Sequence, residues 1–325
     1  MATKTQAKIP VVDLSNLDLK PGTNTWFSAR KDVCRALEEC GCFVVEISNK
    51  IPSELHNTTF STFGKLFEFP TETKMKFTSE RPFHGYFSSP TYERLVIDNA
   101  TFTDVTQEFT NIFWPNGNHH VRESTDSYVK LMAELDKMVT KMVFENYGVG
   151  DYYDSHMEST THSFGIIKYK EPQKTGNNSG LGIHTDKHFT TVIHQNRVKG
   201  LLIKTEDGEW IDFDPSPSSF IFMAGDGLQI IFNGIDGCVF CLTKVWSNDR
   251  IKACIHRVLL AENLETRYSL GLFSHNNKTI CAPEELVDEE HPLHYKPINL
   301  RDYAQEQNRL VAYQKELSLK VYCGV

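Results

Sequence analysis

The sequence has no run of basic residues, no long apolar segment, no internal repeat and no low-complexity stretch. With a net charge of −8 and no Lys/Arg cluster, nothing in it favours nucleic-acid binding. The opening "MATKTQAKIPVVDL" lacks the apolar core of a secretory signal. No segment approaches the ~20 apolar residues that a membrane-spanning helix needs. We therefore expect a cytoplasmic protein without nucleic-acid or membrane partners.

Paired cysteines are also scarce. The eight cysteines are scattered, and "CVFC" at Cys238 and Cys241 is a lone CxxC without a second pair, so zinc is a weak interpretation. In a long chain without a secretory signal, reduced thiols are the default. No self-complementary apolar stripe stands out, and we expect a monomer.

What the chain does have is the composition of an ordinary globular protein, with 325 residues, 40% hydrophobic and 23% charged. "IPVVDL" and "CFVVEI" predict two short strands. Between them "TWFSARKDVCRALEECG" predicts a helix that ends at a glycine, with apolar residues at helical spacing: Phe27, Val33, Leu37 and Cys40. Two further amphipathic helices are predicted at residues 51–70 and 124–148.

From about His162 the pattern changes to short β-rich segments broken by Gly, Pro, Asn and Asp, which is typical of an antiparallel sandwich. We predict a mostly β fold with α: a double-stranded β-helix (jelly-roll) core with a helical N-terminal part. The predicted parts are an N-terminal α/β region at 1–160, the core at 161–300 and a closing helix at 301–325.

The stretch "GLGIHTDKHFTTVIHQ" carries the candidate metal ligands. Residues i and i+2 of a strand lie on one face, so His184 and Asp186 are expected to share a cation. His188 and His194 are also at even offsets, and we interpret His188 as pocket lining or surface. A third ligand is expected from a distant strand, and "ACIHRVLL" offers His256. Two histidines and one carboxylate on one face of a metal are the arrangement of non-haem Fe(II) oxygenases.

A second pair of side chains follows in "TRYSLGLF", where Arg267 and Ser269 are at i and i+2. An arginine buried in a barrel needs an anion, and its guanidinium fork fits a carboxylate. A serine hydroxyl on the same face can donate a further hydrogen bond. With metal ligands on one strand and this clamp on its neighbour, the pattern suits a chelating keto acid that reaches from the metal to Arg267.

These motifs resemble the plant 2-oxoglutarate- and Fe(II)-dependent dioxygenases over nearly the whole chain. The resemblance lies in "IPVVDL", "ALEECGCFVV", "RPFHGY", "HTDK", "WSNDRIKACIHRV", "TRYSLGLFS" and "APEELVDEEHPLHYKP", and it is strongest to the branch of glucosinolate side-chain dioxygenases and podophyllotoxin-pathway ring-closing oxidases. It implies that His184, Asp186 and His256 bind iron. It also implies that Arg267 and Ser269 anchor the distal carboxylate of 2-oxoglutarate, and that Tyr169 in "IIKYKEP" hydrogen-bonds this co-substrate.

The function implied by the resemblance is the oxidation of a small plant specialised metabolite with O2. 2-Oxoglutarate is decarboxylated to succinate and CO2, and the substrate is hydroxylated, desaturated, demethylated or closed into a ring. Ascorbate is expected as a reductant that restores Fe(II). A zinc hydrolase with the same ligands would need a general base near the metal, and none is evident.

One segment departs from the family pattern. The 15 residues at 230–244, "IIFNGIDGCVFCLTK", have no counterpart in the family pattern that this chain resembles. They lie between His184 and His256 and lengthen the separation of these two residues to 72 positions (256 − 184). Either they form a surface loop, which is tolerated because the closure cost rises slowly with loop length, or they are a retained intron or mispredicted exon. The alternative function is therefore a catalytically impaired isoform in which the insert disrupts iron binding.

Three other residues have two interpretations each. His84 in "RPFHGY" reaches the substrate pocket or is a turn histidine. Phe164 and Phe273 belong to the sandwich core or contact the substrate.

Overall fold

A computed structural model describes residues 8–16, 18–48, 51, 53–81, 84–170, 178–186, 188–225, 245–260 and 265–299. The insert at 230–244, with Cys238 and Cys241, and the predicted C-terminal helix at 301–325 lie outside these residues.

The described helices belong to the first half of the chain. They are α1 (Asn24–Cys40), α2 (Ser53–Gly64), α3 (Thr71–Lys74), α4 (Thr103–Phe113), α5 (His119–Asn146) and α6 (Tyr153–Glu158). Short 3-10 turns occur at Lys65–Glu68, Gly150–Tyr152 and Glu284–Leu286. No helix in the described part of the chain combines the length and the apolar character needed to cross a membrane.

The described strands form two sheets. In chain order they are β1 (Val11–Asp13), β2 (Cys42–Glu46), β3 (Gly85–Ser88), β4 (Tyr92–Ile97), β5 (Thr160–Tyr169), β6 (Ser179–His184), β7 (Thr190–Gln195), β8 (Leu201–Lys204), β9 (Trp210–Asp212), β10 (Ser219–Ala224), β11 (His256–Leu259) and β12 (Tyr268–Asn276). The large sheet has the order β1-β2-β10-β7-β12-β5-β4-β3, and the small sheet β6-β11-β8-β9. All these pairs are antiparallel except β1 with β2.

The two faces of the large sheet pack against different layers, because successive strand side chains point to opposite sides. On β10, Phe220 and Phe222 pack with the helices in one apolar cluster. Ile221 and Met223 pack instead with residues of the small sheet. The predicted jelly-roll core is therefore present, and its interior lies between the two sheets.

Local chemistry sets the bounds of α1. Thr23 caps its start by accepting a hydrogen bond from Trp26 N. Gly41 ends it with φ +68, and a Cβ there would lie 2.5 Å from Lys252 O, so the chain needs glycine for both conformation and space. One detail of the predicted stripe is wrong: Phe27 is 41% exposed, and Trp26 takes the buried position.

The other sequence-predicted helices exist with shifted bounds. Helix α5 begins at His119, five residues before the predicted start. The segment predicted as one helix at 51–70 is α2 followed by a 3-10 turn. The described cysteines that form no disulfide are Cys34, Cys40, Cys42, Cys254 and Cys281.

Candidate active site

Three candidate metal ligands converge between β6 and β11. His184 and His256 lie directly opposite each other in the antiparallel pairing of these strands, and their ring centroids are 4.1 Å apart. Asp186 Oδ1 lies 3.5 Å from His184 Nε2 and 3.7 Å from His256 Nε2. One possible ligand atom from each residue therefore lies within 4.8 Å of the other two.

The route to this geometry differs from the predicted one in two respects. Strand β6 ends at His184, so Asp186 lies in the segment after the strand rather than two positions along it. The chain then enters a separate strand, β7, and His194 is fully buried among His56, Phe60, Tyr128 and Phe220. The even offset of His194 from His184 therefore does not place the two on one face, because they lie on separate strands.

Both histidines are held in one tautomer by the backbone. His184 Nδ1 donates to Gly182 O at 2.8 Å, and His256 Nδ1 donates to Cys254 O at 3.1 Å. Because a carbonyl can only accept, each Nδ1 carries the proton and each Nε2 presents a lone pair towards Asp186. This second hydrogen bond on a ligand histidine is the usual way of fixing its orientation towards a metal.

The charge state of the cluster also suits a cation. Burial alone would raise the pKa of Asp186, but His256 and His184 outweigh it and hold that pKa well below its ordinary value. Burial lowers the pKa of His256 to about 4, and the nearby His184 acts in the same direction. Near neutral pH Asp186 is thus a carboxylate and the ring of His256 is neutral. Asp186 Oδ2 is buried without a hydrogen-bond partner among the described residues, which a bound cation would correct.

The predicted carboxylate clamp lies on the opposite sheet. Arg267 immediately precedes β12, which pairs with β5 and β7, whereas His256 begins β11 of the small sheet. The expectation that clamp and ligands occupy neighbouring strands is therefore wrong, and they face each other across the interior instead. The positive charge of Arg267 nevertheless contributes to lowering the pKa of His256, after burial and His184.

Arg267 is held on three sides. The residue is 3% exposed, and its Nη2 donates to Gln195 Oε1 at 2.6 Å. Its guanidinium carbon lies 4.4 Å from the ring centroid of Tyr169. A Cβ on Gly200 would come within 3.3 Å of Arg267 Nε. Arg267 Nε and Nη1 are buried without a hydrogen-bond partner among the described residues, so two donors remain for an anion.

Ser269 and Tyr169 complete this corner. Ser269 is 4% exposed and lies on β12 two residues after Arg267, opposite Gln195 of β7. Tyr169 is also 4% exposed, and its backbone N donates to Arg267 O. Gln195 is a residue that the sequence does not single out, because only the register of β7 against β12 reveals its contact with Arg267.

The three residues with two interpretations each have different surroundings in the structure. Phe164 is a fully buried core residue that packs on Phe63. Phe273 is only partly buried, and its ring contacts His188 at a centroid distance of 4.6 Å. His84 donates through Nδ1 to Asp98.

Comparison with known proteins identifies similar chains. A family profile described as "2OG-Fe(II) oxygenase superfamily" matches residues 142–276, and one described as "non-haem dioxygenase in morphine synthesis N-terminal" matches residues 9–120. The chain is 37% identical over 304 residues to "Probable 2-oxoglutarate-dependent dioxygenase AOP1.2" of Arabidopsis thaliana, which covers 91% of this chain and 89% of that protein. It is 28% identical to "Probable inactive 2-oxoglutarate-dependent dioxygenase AOP2" of the same organism, with 98% of each chain covered.

Solved structures agree on the fold. The crystal structure of the rice dioxygenase for auxin oxidation superposes with a TM-score of 0.77 at 24% identity, covering 98% of this chain and 100% of that chain. The 2-oxoglutarate complex of the Arabidopsis thaliana dioxygenase for auxin oxidation 1 gives a TM-score of 0.74 at 26% identity, covering 88% of this chain and 100% of that one.

Proposed function

The chain belongs to the 2-oxoglutarate-dependent dioxygenases, and on that premise we propose that His184, Asp186 and His256 hold its iron. As a member of this family it is an oxidoreductase that uses Fe(II), 2-oxoglutarate and O2 to oxidise a small molecule. The observation that carries the assignment is the convergence of the Nε2 atoms of His184 and His256 on the carboxylate of Asp186. The second oxygen of this carboxylate, Oδ2, is buried and has no hydrogen-bond partner among the described residues.

The residues present fit an Fe(II) ion. Two imidazoles and one carboxylate are the donor set of non-haem iron oxygenases with open positions. When bound, the iron supplies the chemistry by which O2 is activated at the expense of 2-oxoglutarate. The protein contributes orientation: the carbonyls of Gly182 and Cys254 fix the two rings before the metal arrives.

We assign Arg267, Ser269 and Tyr169 to the co-substrate. Arg267 keeps two donors for the distal carboxylate, and Ser269 adds a hydroxyl on the same face. Tyr169 supports the guanidinium through its ring. Apolar side chains of the interior, including Leu201, Ile203 and Val258, surround this corner. They exclude water, which strengthens the ion pair with the carboxylate.

Other parts of the assignment extend beyond the family. We propose that the substrate is a small plant specialised metabolite, oxidised by hydroxylation, desaturation, demethylation or ring closure with release of succinate and CO2. Ascorbate is the proposed reductant for oxidised iron, and the protein is proposed to act as a cytoplasmic monomer.

The division into parts at 1–160, 161–300 and 301–325 is likewise our proposal. Strands β1 to β4 of the first part join the same sheet as the core strands. We infer that the first two parts work as one unit.

The impaired isoform is the second candidate function, favoured by the unusual insert and by the inactive name of one relative. Its premise is that the insert displaces His256. Before the insert, β10 ends at Ala224; after it, His256 is in register with His184. This register supports the active enzyme over the impaired one.

The two candidates are separated by anaerobic titration of the purified protein with Fe(II) and 2-oxoglutarate, followed through the visible charge-transfer band. The active enzyme develops the band, and His256→Ala abolishes it. A version without residues 230–244 serves as the matched control. If only the shortened version develops the band, the full chain is the impaired isoform. If neither version develops it, the metal assignment is wrong.

A further inference from the structure

The chain that leads to the proposed ligand His256 is irregular but buried. Residues 247–255 form neither a helix nor a strand. Val245, Ser247 and Asn248 at its beginning are nevertheless fully buried. Buried polar groups outside regular structure need specific partners. Those partners determine where the chain enters β11.

Trp246 fixes the beginning of this segment. It is 5% exposed, and its ring stacks on Phe144 of α5 at a centroid distance of 4.4 Å. The ring of Phe189 contacts it edge-on at 6.2 Å. Gly225, which precedes residues 226–244, is held at the same place, because its N donates to Phe189 O at 3.0 Å. The chain on both sides of residues 226–244 is therefore attached to one part of the core.

The next two residues have an unusual backbone conformation. Asn248 has a φ of 51 and Asp249 a φ of 70, both in the left-handed region. Residues other than glycine persist there only where their surroundings hold them, since the conformation costs free energy. The contacts of the two side chains show what holds them.

The whole side chain of Asn248 is bonded to one distant segment, residues 284–295. Its Oδ1 accepts from His294 N at 3.0 Å. Its Nδ2 lies within hydrogen-bond distance of three backbone carbonyls, at 3.2 Å from Leu286 O, 3.0 Å from His291 O and 3.1 Å from Pro292 O.

The following two side chains bind the same segment. Asp249 Oδ1 accepts from Tyr295 OH at 2.9 Å, and its Oδ2 accepts from His294 Nδ1 at 2.7 Å. Arg250 Nη2 donates to Asp288 Oδ2 at 3.2 Å. Three consecutive residues thus bind a single partner segment through their side chains.

We call residues 246–250 the latch and residues 284–295 the arm. The arm is anchored independently of the latch. Its Leu286 and Tyr295 are 2% and 3% exposed and belong to the main apolar cluster of the protein. Paired backbone hydrogen bonds between Ile280 and Ile298, each 2.8 Å long, join the chain on its two sides. The latch therefore binds a partner that is already fixed to the core.

Further contacts connect the latch to the ligand. Ser247 Oγ accepts from Ile251 N at 3.0 Å, and Cys254 N donates to Ala224 O at 3.4 Å. Cys254 O in turn accepts from His256 Nδ1 at 3.1 Å. The position of Cys254 thus orients the ring of His256, and the latch sets the point from which the chain runs to Cys254.

We propose that the latch positions His256 by binding the arm, so that the residues between Gly225 and Val245 do not displace this ligand. Asn248 and Asp249 are positioning residues in this role, because they act through the chain that leads to His256. The inference rests on the proposed function for the identity of the ligand. It explains how His256 keeps its register with His184 in a chain with these extra residues.

The test uses a matched pair of histidines on the arm. The side chains of His294 and His291 are 40% and 43% exposed, but His294 is bonded to Asp249 of the latch and His291 to Asp288 of the arm itself. Hydrogen–deuterium exchange of residues 251–259 is measured on the metal-free protein. We expect His294→Ala to accelerate this exchange about tenfold, the equivalent of one hydrogen bond to a charged group. His291→Ala should leave it unchanged.

A second variant and a reference strand keep the result specific. Asn248→Ala removes more contacts than His294→Ala and should accelerate the exchange of residues 251–259 further. Exchange of β7, at residues 190–195, should stay unchanged in His294→Ala, because we expect a local opening rather than global unfolding.

The version without residues 230–244 separates positioning from general stability. It shortens the connection between Gly225 and Val245 from 19 residues to four. A short connection holds Val245 near Gly225 even when the latch is open. In this version His294→Ala should accelerate the exchange of residues 251–259 by less than about threefold. A side chain that only added stability would have the same effect in both versions, because independent contributions add.

Iron binding provides the second measurement. The same variants are titrated anaerobically with Fe(II) in the presence of 2-oxoglutarate. In the full chain His294→Ala should raise the Kd for Fe(II) about tenfold, because the ring of His256 is no longer held in place. His291→Ala should leave this Kd unchanged.

The inference is overturned if His294→Ala and Asn248→Ala leave the exchange of residues 251–259 unchanged in the full chain, or if His291→Ala accelerates it equally. It is also overturned if the full and shortened versions respond alike, or if exchange rises without loss of affinity for Fe(II). If neither unmodified version binds Fe(II), the proposed function is wrong instead. The exchange measurements would then still decide whether the latch holds β11.

Discussion

Exchanging Gln195 for glutamate should weaken 2-oxoglutarate binding without removing any proposed ligand. Gln195 Oε1 accepts from Arg267 Nη2 at 2.6 Å, and its Nε2 donates to Val198 O at 3.1 Å. Gln195 is fully buried, so neither contact is shared with solvent. The neutral amide thus orients the guanidinium of Arg267 without neutralising its positive charge, which remains available to bind the co-substrate.

The magnitude follows from this geometry. Two opposite unit charges about 4 Å apart interact by roughly 4 kcal/mol at an effective dielectric constant of about 20. A hydrogen bond to a charged group is worth a net ~1.5–3 kcal/mol. An internal carboxylate at position 195 would take up the charge that the distal carboxylate of 2-oxoglutarate needs. We expect Gln195→Glu to raise the Kd for 2-oxoglutarate by about 10- to 100-fold.

Gln195→Leu makes a contrasting companion variant. It removes the acceptor and leaves a buried guanidinium N–H unpaired, which should lower the free energy of unfolding of the metal-free protein by about 1–3 kcal/mol. It leaves the charge of Arg267 available, so its effect on 2-oxoglutarate binding should be smaller than that of glutamate.

The assay is calorimetric titration of 2-oxoglutarate into the anaerobic Fe(II) protein, together with denaturant unfolding of the metal-free protein. Gln107→Glu is the matched control: Gln107 also accepts from an arginine, Arg122 Nη1 at 3.2 Å, but on the helical layer. It should bind 2-oxoglutarate normally. If Gln195→Glu binds 2-oxoglutarate as tightly as the unmodified protein, Arg267 is not the anchor of the co-substrate.

Three further outcomes are expected. Gly271→Ala should displace the ring of Phe273, which a Cβ would approach to 2.7 Å, and so lower the free energy of unfolding by about 1–3 kcal/mol. Gly200→Ala should lower the free energy of unfolding by about 1–3 kcal/mol and weaken 2-oxoglutarate binding, because its φ is +147 and a Cβ would press on Arg267. Burial lowers the pKa of His194 from its ordinary value of 6.5 to about 3. Between these two pH values the histidine is protonated in the unfolded chain but neutral in the folded one. The free energy of unfolding should therefore fall as the pH drops from 6.5 to 3, by up to about 1.4 kcal/mol per pH unit.

Each of these outcomes has a contrary result. A Gly271→Ala protein with an unchanged free energy of unfolding would show that the Phe273 ring moves aside without cost. A Gly200→Ala protein with unchanged stability would show that its backbone strain is absent. Denaturant unfolding at several pH values checks the third prediction: replacing His194 by phenylalanine, which matches its aromatic neighbours, should flatten the slope, and an unchanged slope would contradict it.

The sequence alone is enough to group His184, Asp186 and His256, although the strand alternation is an incomplete argument for the first pair. Alternation predicts that one strand carries both, whereas β6 ends at His184, and Asp186 follows outside the strand with its Oδ1 3.5 Å from His184 Nε2. The candidate ligands can therefore be identified from residue types and spacing. The bend is not, because residues 185–189 have no glycine or proline to mark it.

Contacts between distant strands cannot be predicted from the sequence for a different reason. The bond from Arg267 to Gln195 depends on the register of β12 against β7, and the contact of His84 with His275 depends on a loop before β3 reaching the end of β12. Register is set by tertiary packing and by the whole sheet. Similarly, strands β3 and β4 are not predicted, since neither has a strong alternating pattern before its partner β5 is known.

The central claim is that His184, Asp186 and His256 are the iron ligands, and anaerobic equilibrium dialysis with Fe(II) tests it most directly. The unmodified protein should bind one Fe(II) per chain, and single alanine variants of the three residues should each lose it. His188→Ala removes a histidine only two residues from Asp186 and should keep the iron. If His188→Ala loses the metal, or if any of the three alanine variants retains it at full stoichiometry, the proposed ligand set is wrong.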